Sequence, residues 1–436
     1  MSAPDQARVV AFEVLRAVDE SDAYANLALK QALARHRVTG RDAAFATELV
    51  SGTLRLRGSY DPIIDSLVSR ALEPAVRDVL RLGAHQLLST RVPVHAAIST
   101  SVELCRRHVG HRTTGLVNAV LRKVAAHTLE QWLVRLAPDP SVDETGHLAM
   151  AYSHPEWIIS ALAQALDRPA ELDELLAADN ARPLVTLVAR PGLCTVEELQ
   201  GTQTVSPIGV DLASGDPGQI EAVRQGRAGV HGTGAELVAL AMADVPIEGP
   251  DARWLDLCAG PGGKAALLAA LADQRGAHLV ANEVAPHRAD LVRHALRGTS
   301  AEVVCSDGTD PAFDVASFDR VLVDAPCSGL GALRRRPEAR WRRTPDDLAP
   351  LISLQRRLLS SALSLVRPGG VVLYATCSPV VAETTEVIRE VLGEQVQLVP
   401  LSGPDDSQSA HLGGAVQLWP HRHRTDAMFY AALQRS

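Results

Sequence analysis

Long apolar runs, paired cysteines and lysine are what this 436-residue chain has little of. No stretch approaches the roughly 18 consecutive apolar residues of a membrane span, so no membrane association is expected. The opening Met1-Ser-Ala-Pro-Asp-Gln carries no apolar leader region, and no secretion signal is expected from it. The six cysteines, at 105, 194, 258, 305, 327 and 377, include no Cys-x-x-Cys pair. Neither a metal site nor a disulfide framework is therefore expected, and a reducing cytoplasm is the expected location. Lysine occurs only at 30, 123 and 264, every other base being arginine, so arginine abundance by itself carries little weight. There are no internal repeats. What remains is a chain of ordinary apolar content, long enough for about three domains.

The net charge of −8 is unevenly spread. Residues 1–130 hold 17 basic and 13 acidic groups, residues 131–250 hold 6 and 17, and the rest 20 and 21. The balance does not announce a nucleic-acid binder, and such a partner would have to be held by local patches. Apolar residues recur at helical spacing through residues 5–128, for example Val10, Val14 and Val18, then Val76, Val79, Leu80, Leu82 and Leu87. An all-α domain is expected over 1–130. Pro138-Asp-Pro-Ser141 reads as a linker. Helices at 156–166 and 170–178, a strand at 184–189 and a Gly/Ser/Pro-rich stretch at 201–218 predict a small α+β domain over 140–245. From 246 to 436 strands (254–258, 279–283, 302–306, 320–324, 371–376) alternate with helices, the pattern of a doubly wound, mostly parallel sheet. Residues 427–433 are expected to add a last antiparallel strand.

The first of these strands runs into Leu255-Asp-Leu-Cys-Ala-Gly-Pro-Gly-Gly-Lys264. Glycines let backbone approach a ligand, and the following helix N-terminus can hold polar groups. A P-loop would need Gly at 258 and Ser or Thr at 265, where Cys and Ala stand, and the Gly-x-Gly-x-x-Gly spacing is absent too. No pyrophosphate fingerprint is present. The next strand ends in Glu283, about 20 residues on, where ribose hydroxyls are bound in such sheets. The third ends in Ser306-Asp307-Gly308, placed to meet an adenine edge, and the fourth in Asp324. A single strand-end carboxylate is commonly only a turn or cap, but three in register point to a nucleoside without pyrophosphate. S-adenosylmethionine offers that.

Cys327, in Asp324-Ala-Pro-Cys-Ser-Gly, and Cys377, in Ala-Thr-Cys-Ser-Pro, each follow a strand at the sheet edge where ligands bind. Alone, either reads equally as a small buried hydrophobe. Their matched settings point to one site with a sulfur nucleophile and a second thiol beside it.

The motifs Asp-Leu-Cys-Ala-Gly-Pro-Gly-Gly-Lys, Asp-Ala-Pro-Cys-Ser-Gly and Ala-Thr-Cys-Ser, with Arg334-Arg-Arg-Pro-Glu-Ala-Arg-Trp341, resemble those of RNA (cytosine-5)-methyltransferases. Over nearly its whole length the chain resembles the Sun/Fmu family of bacterial ribosomal RNA small-subunit methyltransferases B. Its N-terminal part resembles NusB, in Gly40-Arg-Asp-Ala-Ala-Phe-Ala-Thr-Glu, Val94-His-Ala-Ala-Ile-Ser-Thr-Ser-Val-Glu and Gly115-Leu-Val-Asn-Ala-Val-Leu-Arg. The resemblance implies a Rossmann-like methyltransferase domain behind an RNA-binding NusB-like domain. It also implies that Cys258, Ala259, Gly260, Pro261, Gly262, Gly263, Lys264, Glu283, Asp307 and Asp324 bind S-adenosylmethionine, that Cys377 is the nucleophile, and that Cys327 assists release. The implied partner is 16S ribosomal RNA before full subunit assembly, met by a monomer. The chain departs from the family at His231-Gly-Thr-Gly-Ala-Glu236, where a Gln-Asp-x-x-Ser-Gln pattern is usual, and at Ala265, where Thr is usual.

Carbon 5 of cytosine is too weak a nucleophile to accept a methyl group directly, and a thiolate added at carbon 6 makes it enamine-like. The site should lower the thiol's pKa or supply a base, and Asp324 is expected to hydrogen-bond the base edge. Residue context alone leaves the order of the thiols open, because in DNA cytosine-5 methyltransferases the nucleophile follows a proline, as Cys327 does. The Thr-Cys-Ser context and the resemblance decide for Cys377. Arg334, Arg335, Arg336 and Arg340, with Trp341 among them, are expected to contact RNA by phosphate pairing and base stacking. The target base must lie in a loop or be flipped out. Two alternatives remain: a cytosine-5 methyltransferase of transfer RNA or another RNA, and a non-catalytic RNA chaperone or antitermination protein.

Overall fold

The computed structural model describes residues 5–21 and 23–436. The first four residues, part of the segment read for a leader, lie outside the described residues. The chain forms two compact units. One runs through Ser160 and takes in Leu333–Arg343; the other comprises Ala161–Ala332 and Thr344–Ser436.

The first unit is helical, as the periodicity predicts. The Gln6–Ser21 helix turns Val10, Val14 and Val18 inward, and Pro74–Ser89 buries Val76, Val79, Leu80 and Leu82. Leu49, Ile63, Ile64 and Leu121 fill the space between them, and none is more than 1% exposed. Each such side chain contributes about 1.5–3 kcal/mol through burial. Tertiary packing rather than capping carries these helices, for among the described residues of this unit only Leu129–Leu136 has a full capping box, from Thr128 and Gln131. Among the described residues no helix is long and apolar enough to cross a membrane.

The second unit holds two sheets. Strands β1 (Val185–Ala189), β2 (Thr202–Gln203), β3 (Gly209–Leu212) and β4 (Ala228–Val230) make an antiparallel sheet in the order β2-β3-β1-β4. The larger sheet contains β5 (Arg253–Asp256), β6 (His278–Asn282), β7 (Glu302–Val304), β8 (Phe318–Asp324), β9 (Val366–Thr376), β10 (Val396–Val399), β11 (Val416–Gln417) and β12 (Phe429–Arg435). Its order is β10-β12-β9-β8-β5-β6-β7, with β11 paired to β12. Strands β5 to β9 run parallel, and β12, the antiparallel last strand expected at 427–433, pairs with β9 and covers Phe429–Arg435. The Rossmann-like α/β class is therefore the observed one. The Leu348–Leu365 helix covers one face through Leu358, Leu359, Ala362 and Leu365. The other face is covered by Gly263–Arg275, buried from Ala265 to Ala272, and by Thr233–Asp244, against which Val188 of the small sheet also packs.

The chain winds outward from β5 through β6 to β7, then returns to place β8 on the other side of β5. Ligands in open α/β sheets bind where strand order reverses, at the C-terminal strand ends. Asp256, Glu283, Asp324 and Cys377 all lie at those ends or one residue beyond.

Candidate active site

The loop after β5 is shaped by what its glycines leave out. Gly262 caps the Gly263–Arg275 helix with φ at 106°, and a Cβ there would stand 2.7 Å from the Ala295 Cβ. A Cβ at Gly260 would lie 2.1 Å from Glu283 Oε2. That closeness lets the Gly260 amide donate to Glu283 at 3.0 Å, while Ala285 N–H donates to the other carboxylate oxygen at 3.1 Å. A carboxylate has about four acceptor positions, so Glu283 keeps capacity for further donors such as a pair of hydroxyls. Asp307 is exposed; its Oδ1 accepts both the Thr309 amide and hydroxyl at 2.9 Å, and those bonds hold it below the usual carboxylate range. Ala265 is fully buried, so the residue after the loop lysine is part of the core here. His231 lies over the loop, its ring about 3.0 Å from where a Cβ on Gly263 would be, and Glu236 is fully buried.

Three residues that sequence reasoning missed hold this edge together. Asn282 is buried and donates to Leu257 O and Ser306 O, each at 3.1 Å, while accepting from the Ser306 hydroxyl at 2.8 Å. It ties the ends of three strands to each other. A polar residue closing an apolar strand just before Glu283 was the available signal. Asp256 is buried beneath the loop, and burial, with the nearby Asp324 charge, pushes its carboxyl up to about 7. Burial also holds Cys258 as a neutral thiol, reinforced by the charge of Asp256 and Asp324. Glu383, the third, is described below with the two cysteine loops.

Lys264 reaches from the helix to Asp324, Nζ to Oδ2 at 2.7 Å. Burial pulls the ammonium's pKa down, but attraction and hydrogen bonding to Asp324, with further pull from Cys377 and Asp256, outweigh it and raise it overall. Cys327 and Cys377 come together, Sγ to Sγ at 3.4 Å. Cys327 is pushed well up by its hydrogen bond to Cys377, then by burial and by the charge of Cys377 and Glu383. Two thiols this close cannot both ionise, because the first charge opposes the second. Lys264 feels the charge at Cys377, which favours that sulfur as the thiolate and Cys327 as the S–H donor.

The arginine-rich segment requires a correction. Arg340 is fully buried, its Nη1 donating to Arg55 O and Ser153 O at 3.1 Å each. Trp341 donates its indole N–H to Leu54 O at 2.6 Å. Leu54 and Arg55 end the Gly40–Arg55 helix, whose last carbonyls have no partner within the helix. The segment thus supplies donors to a helix C-terminus, where a cation is also favoured by the helix dipole. Glu338 accepts from Ala25 N at 3.3 Å, and Arg336 and Arg342 stack over Tyr24 with centroid distances of 5.6 and 5.1 Å. Of the five residues expected to meet RNA, only Arg336 is exposed; Arg334, Arg335 and Trp341 are half-buried.

The residues present fit S-adenosylmethionine: Gly260 and Gly262 leave no room for side chains of their own, and Glu283 and Asp307 keep acceptor capacity for hydroxyl and amine donors. Residues 246–434 match the family described as 16S rRNA methyltransferase RsmB/F, and residues 5–126 match the NusB family. A Mycobacterium tuberculosis protein named as a methyltransferase, without a substrate in its name, is 51% identical over 99% of this chain and 97% of its own. The ribosomal RNA small subunit methyltransferase B of Pasteurella multocida is 31% identical over 92% of this chain and 90% of its own. The solved structure of PH0851 superposes over 100% of both chains with a TM-score of 0.81 at 24% identity, which bears on the fold alone. The chain belongs to the RsmB/F methyltransferase family, with a NusB-like helical domain ahead of the catalytic one, and is an S-adenosylmethionine-dependent RNA methyltransferase.

Proposed function

We propose that this protein methylates carbon 5 of a cytosine in 16S ribosomal RNA through a covalent bond between Cys377 and carbon 6. The observation that carries the reading is the pair of thiols 3.4 Å apart, beside the Lys264–Asp324 pair, at the strand ends next to the glycine loop. The substrate class is supported by the family and by the small-subunit RNA named for the relatives.

Glu283 and Asp307 would hold the ribose and adenine of S-adenosylmethionine, with residues 258–264 beneath it; bound, the cofactor supplies an electrophilic methyl group. Cys377, as the thiolate, adds to carbon 6 of the flipped base and leaves carbon 5 electron-rich. Asp324, oriented by Lys264, accepts a hydrogen bond from the base edge and holds the ring against the thiolate. After methylation the proton on carbon 5 passes to Cys327, the 5,6 double bond re-forms, the sulfur–carbon bond breaks and its electron pair returns to Cys377. Cys327, 3.4 Å from that sulfur, gives its own proton to solvent while Cys377 is bonded and uncharged, and is then the base that takes the carbon 5 proton. The RNA partner is proposed to be small-subunit RNA before full assembly.

The test is transfer of labelled methyl groups to naked small-subunit RNA, followed by denaturing gels for trapped protein–RNA adducts. Cys377→Ala should abolish transfer and adduct, whereas Cys327→Ala should accumulate adduct because release is slowed. An adduct formed by Cys377→Ala and not by Cys327→Ala reverses the assignment of the two thiols. Transfer to transfer RNA alone changes the substrate, and absence of transfer despite cofactor binding favours a non-catalytic RNA chaperone.

A further inference from the structure

Glu383 lies six residues beyond Cys377, in the short 3-10 turn Val381–Glu383, and is fully buried. Its carboxylate gathers donors from both cysteine loops. Ser328, next to Cys327, donates its amide to Oε1 at 2.7 Å and its hydroxyl to Oε2. Ser378, next to Cys377, donates its hydroxyl to Oε2 at 2.6 Å. The two hydroxyls are themselves 3.0 Å apart. Gln355, buried on the Leu348–Leu365 helix, donates to Oε1 at 3.0 Å and to Pro326 O at 2.9 Å, so it grips the Cys327 loop on the other side. Tyr374 of β9 fixes the Glu383 carbonyl at 2.8 Å. One carboxylate thus accepts from the residue following each thiol.

We infer that Glu383, seconded by Gln355, is a positioning residue that sets the separation between the Cys327 and Cys377 sulfurs. A buried carboxylate is costly unless its acceptor sites are filled, and here they are filled by groups from two loops that are otherwise 50 residues apart. Neither loop can then shift without breaking bonds to a group that has no water to fall back on. Attack by one thiol and proton transfer to the other both depend on that separation. The catalytic consequence rests on the proposed roles of the cysteines; the geometric one does not.

The full-length protein is treated with dibromobimane, which fluoresces strongly after bridging two adjacent thiols, with Cys327→Ala as the blank. Bridging, iodoacetamide labelling, kcat and KM for RNA are compared in wild type, Glu383→Ala, Glu383→Gln and Gln355→Ala. Bridging should slow about tenfold in Glu383→Ala, and kcat should fall about 100-fold while KM changes less than about twofold, the scale expected of a 1 Å misplacement. Glu383→Gln, which keeps an acceptor oxygen, should recover part of both. If Glu383→Ala does not fold, Glu383→Gln and Gln355→Ala carry the comparison, each expected to bridge more slowly than wild type. Bridging at the wild-type rate in the folded variants overturns the inference. Slowed bridging in a protein that transfers no methyl group to cytosine leaves the clasp standing and removes the proposed function instead.

Discussion

Replacing Arg340 separates two physical accounts of the arginine-rich segment. Were Arg340 a phosphate contact, its loss would weaken RNA binding, lower the salt slope by about one and leave stability alone. The structure predicts the opposite. Its guanidinium donates to Arg55 O and Ser153 O at 3.1 Å, and the side chain is fully buried. Charge-assisted bonds contribute about 1.5–3 kcal/mol each, and truncation to alanine also leaves a cavity where the stem packed. The guanidinium's own desolvation offsets part of this, so Arg340→Ala should cost the helical unit about 4 kcal/mol. For a unit of this size that is a fall of roughly 8–16 °C in its melting temperature. Arg340→Met, which keeps the apolar volume, should recover part of it. The assay is thermal unfolding of the full chain followed by helical circular dichroism, with RNA binding measured against salt at a temperature where both proteins are folded. A melt within 2 °C of wild type together with a reduced salt slope would refute the packing account.

Three further perturbations test the catalytic unit. A Cβ on Gly331 would stand 1.9 Å from Ala427 O and 2.8 Å from Cys377 O, backbone atoms that cannot rotate aside. Gly331→Ala should therefore cost at least the upper end of the ~1–3 kcal/mol typical of overpacking and reduce methyl transfer with it; urea unfolding near the wild-type midpoint with full activity would contradict this. Lys264→Met removes the cation beside Cys377, so the rising limb of the pH–rate profile should move up by about one unit or more; an unmoved limb would mean that Lys264 does not set the thiolate. Asp256, pushed up to about 7 by burial and Asp324, keeps its proton in the fold at pH values where the unfolded chain has lost it. Its folded pKa is raised, so this carboxyl lowers stability progressively as pH rises from about 4 to about 7, by at most about 4 kcal/mol, and the loss is constant above. Asp256→Asn should accordingly melt higher than wild type at pH 8, with the gap closing as the pH falls towards 4. A gap independent of pH would show that Asp256 titrates normally.

The parts of the fold that were legible in the sequence are those with a period. Val10, Val14 and Val18 mark one helix face, and the apolar strands of residues 254–258 and 320–324 alternate with helices long enough to cross over a sheet. Strand ends were legible through their punctuation, since Glu283, Asp307, Asp324 and both cysteines each follow an apolar run. Arg340 and Trp341 were misread because composition does not say whether a donor meets phosphate or a carbonyl. Arg340 donates to the helix-end carbonyl of Arg55, 285 residues earlier in the chain, and to Ser153 O, 187 residues earlier, and only the tertiary structure pairs them. Glu383 was invisible for the same reason: its partners Ser328, Gln355 and Ser378 come from three separate elements. Asn282, by contrast, stood next to Glu283 and was passed over because an amide has no charge to attract notice.

The two thiols raise a chemical difficulty that the surrounding residues resolve. A nucleophile 3.4 Å from a second thiol is at risk of losing selectivity, since either sulfur can carry the single negative charge. The symmetry is broken from outside the pair. Lys264, held by Asp324 at 2.7 Å, interacts with charge on Cys377, whereas Cys327 lies under the influence of buried Glu383, which opposes its ionisation. Lys264 therefore favours charge on Cys377 while Glu383 opposes it on Cys327, and the proton is driven to Cys327. The same arrangement orders the reaction. While Cys377 is bonded to the base it carries no charge, so the penalty on ionising Cys327 eases and its proton becomes easier to give up. When the bond breaks, charge reappears on Cys377 and the proton's preferred place is again on Cys327. A protein in which Glu383 and Lys264 are both neutralised should then lose the distinction between the thiols, and alkylation by a small reagent near neutral pH should label the two at comparable rates instead of favouring Cys377.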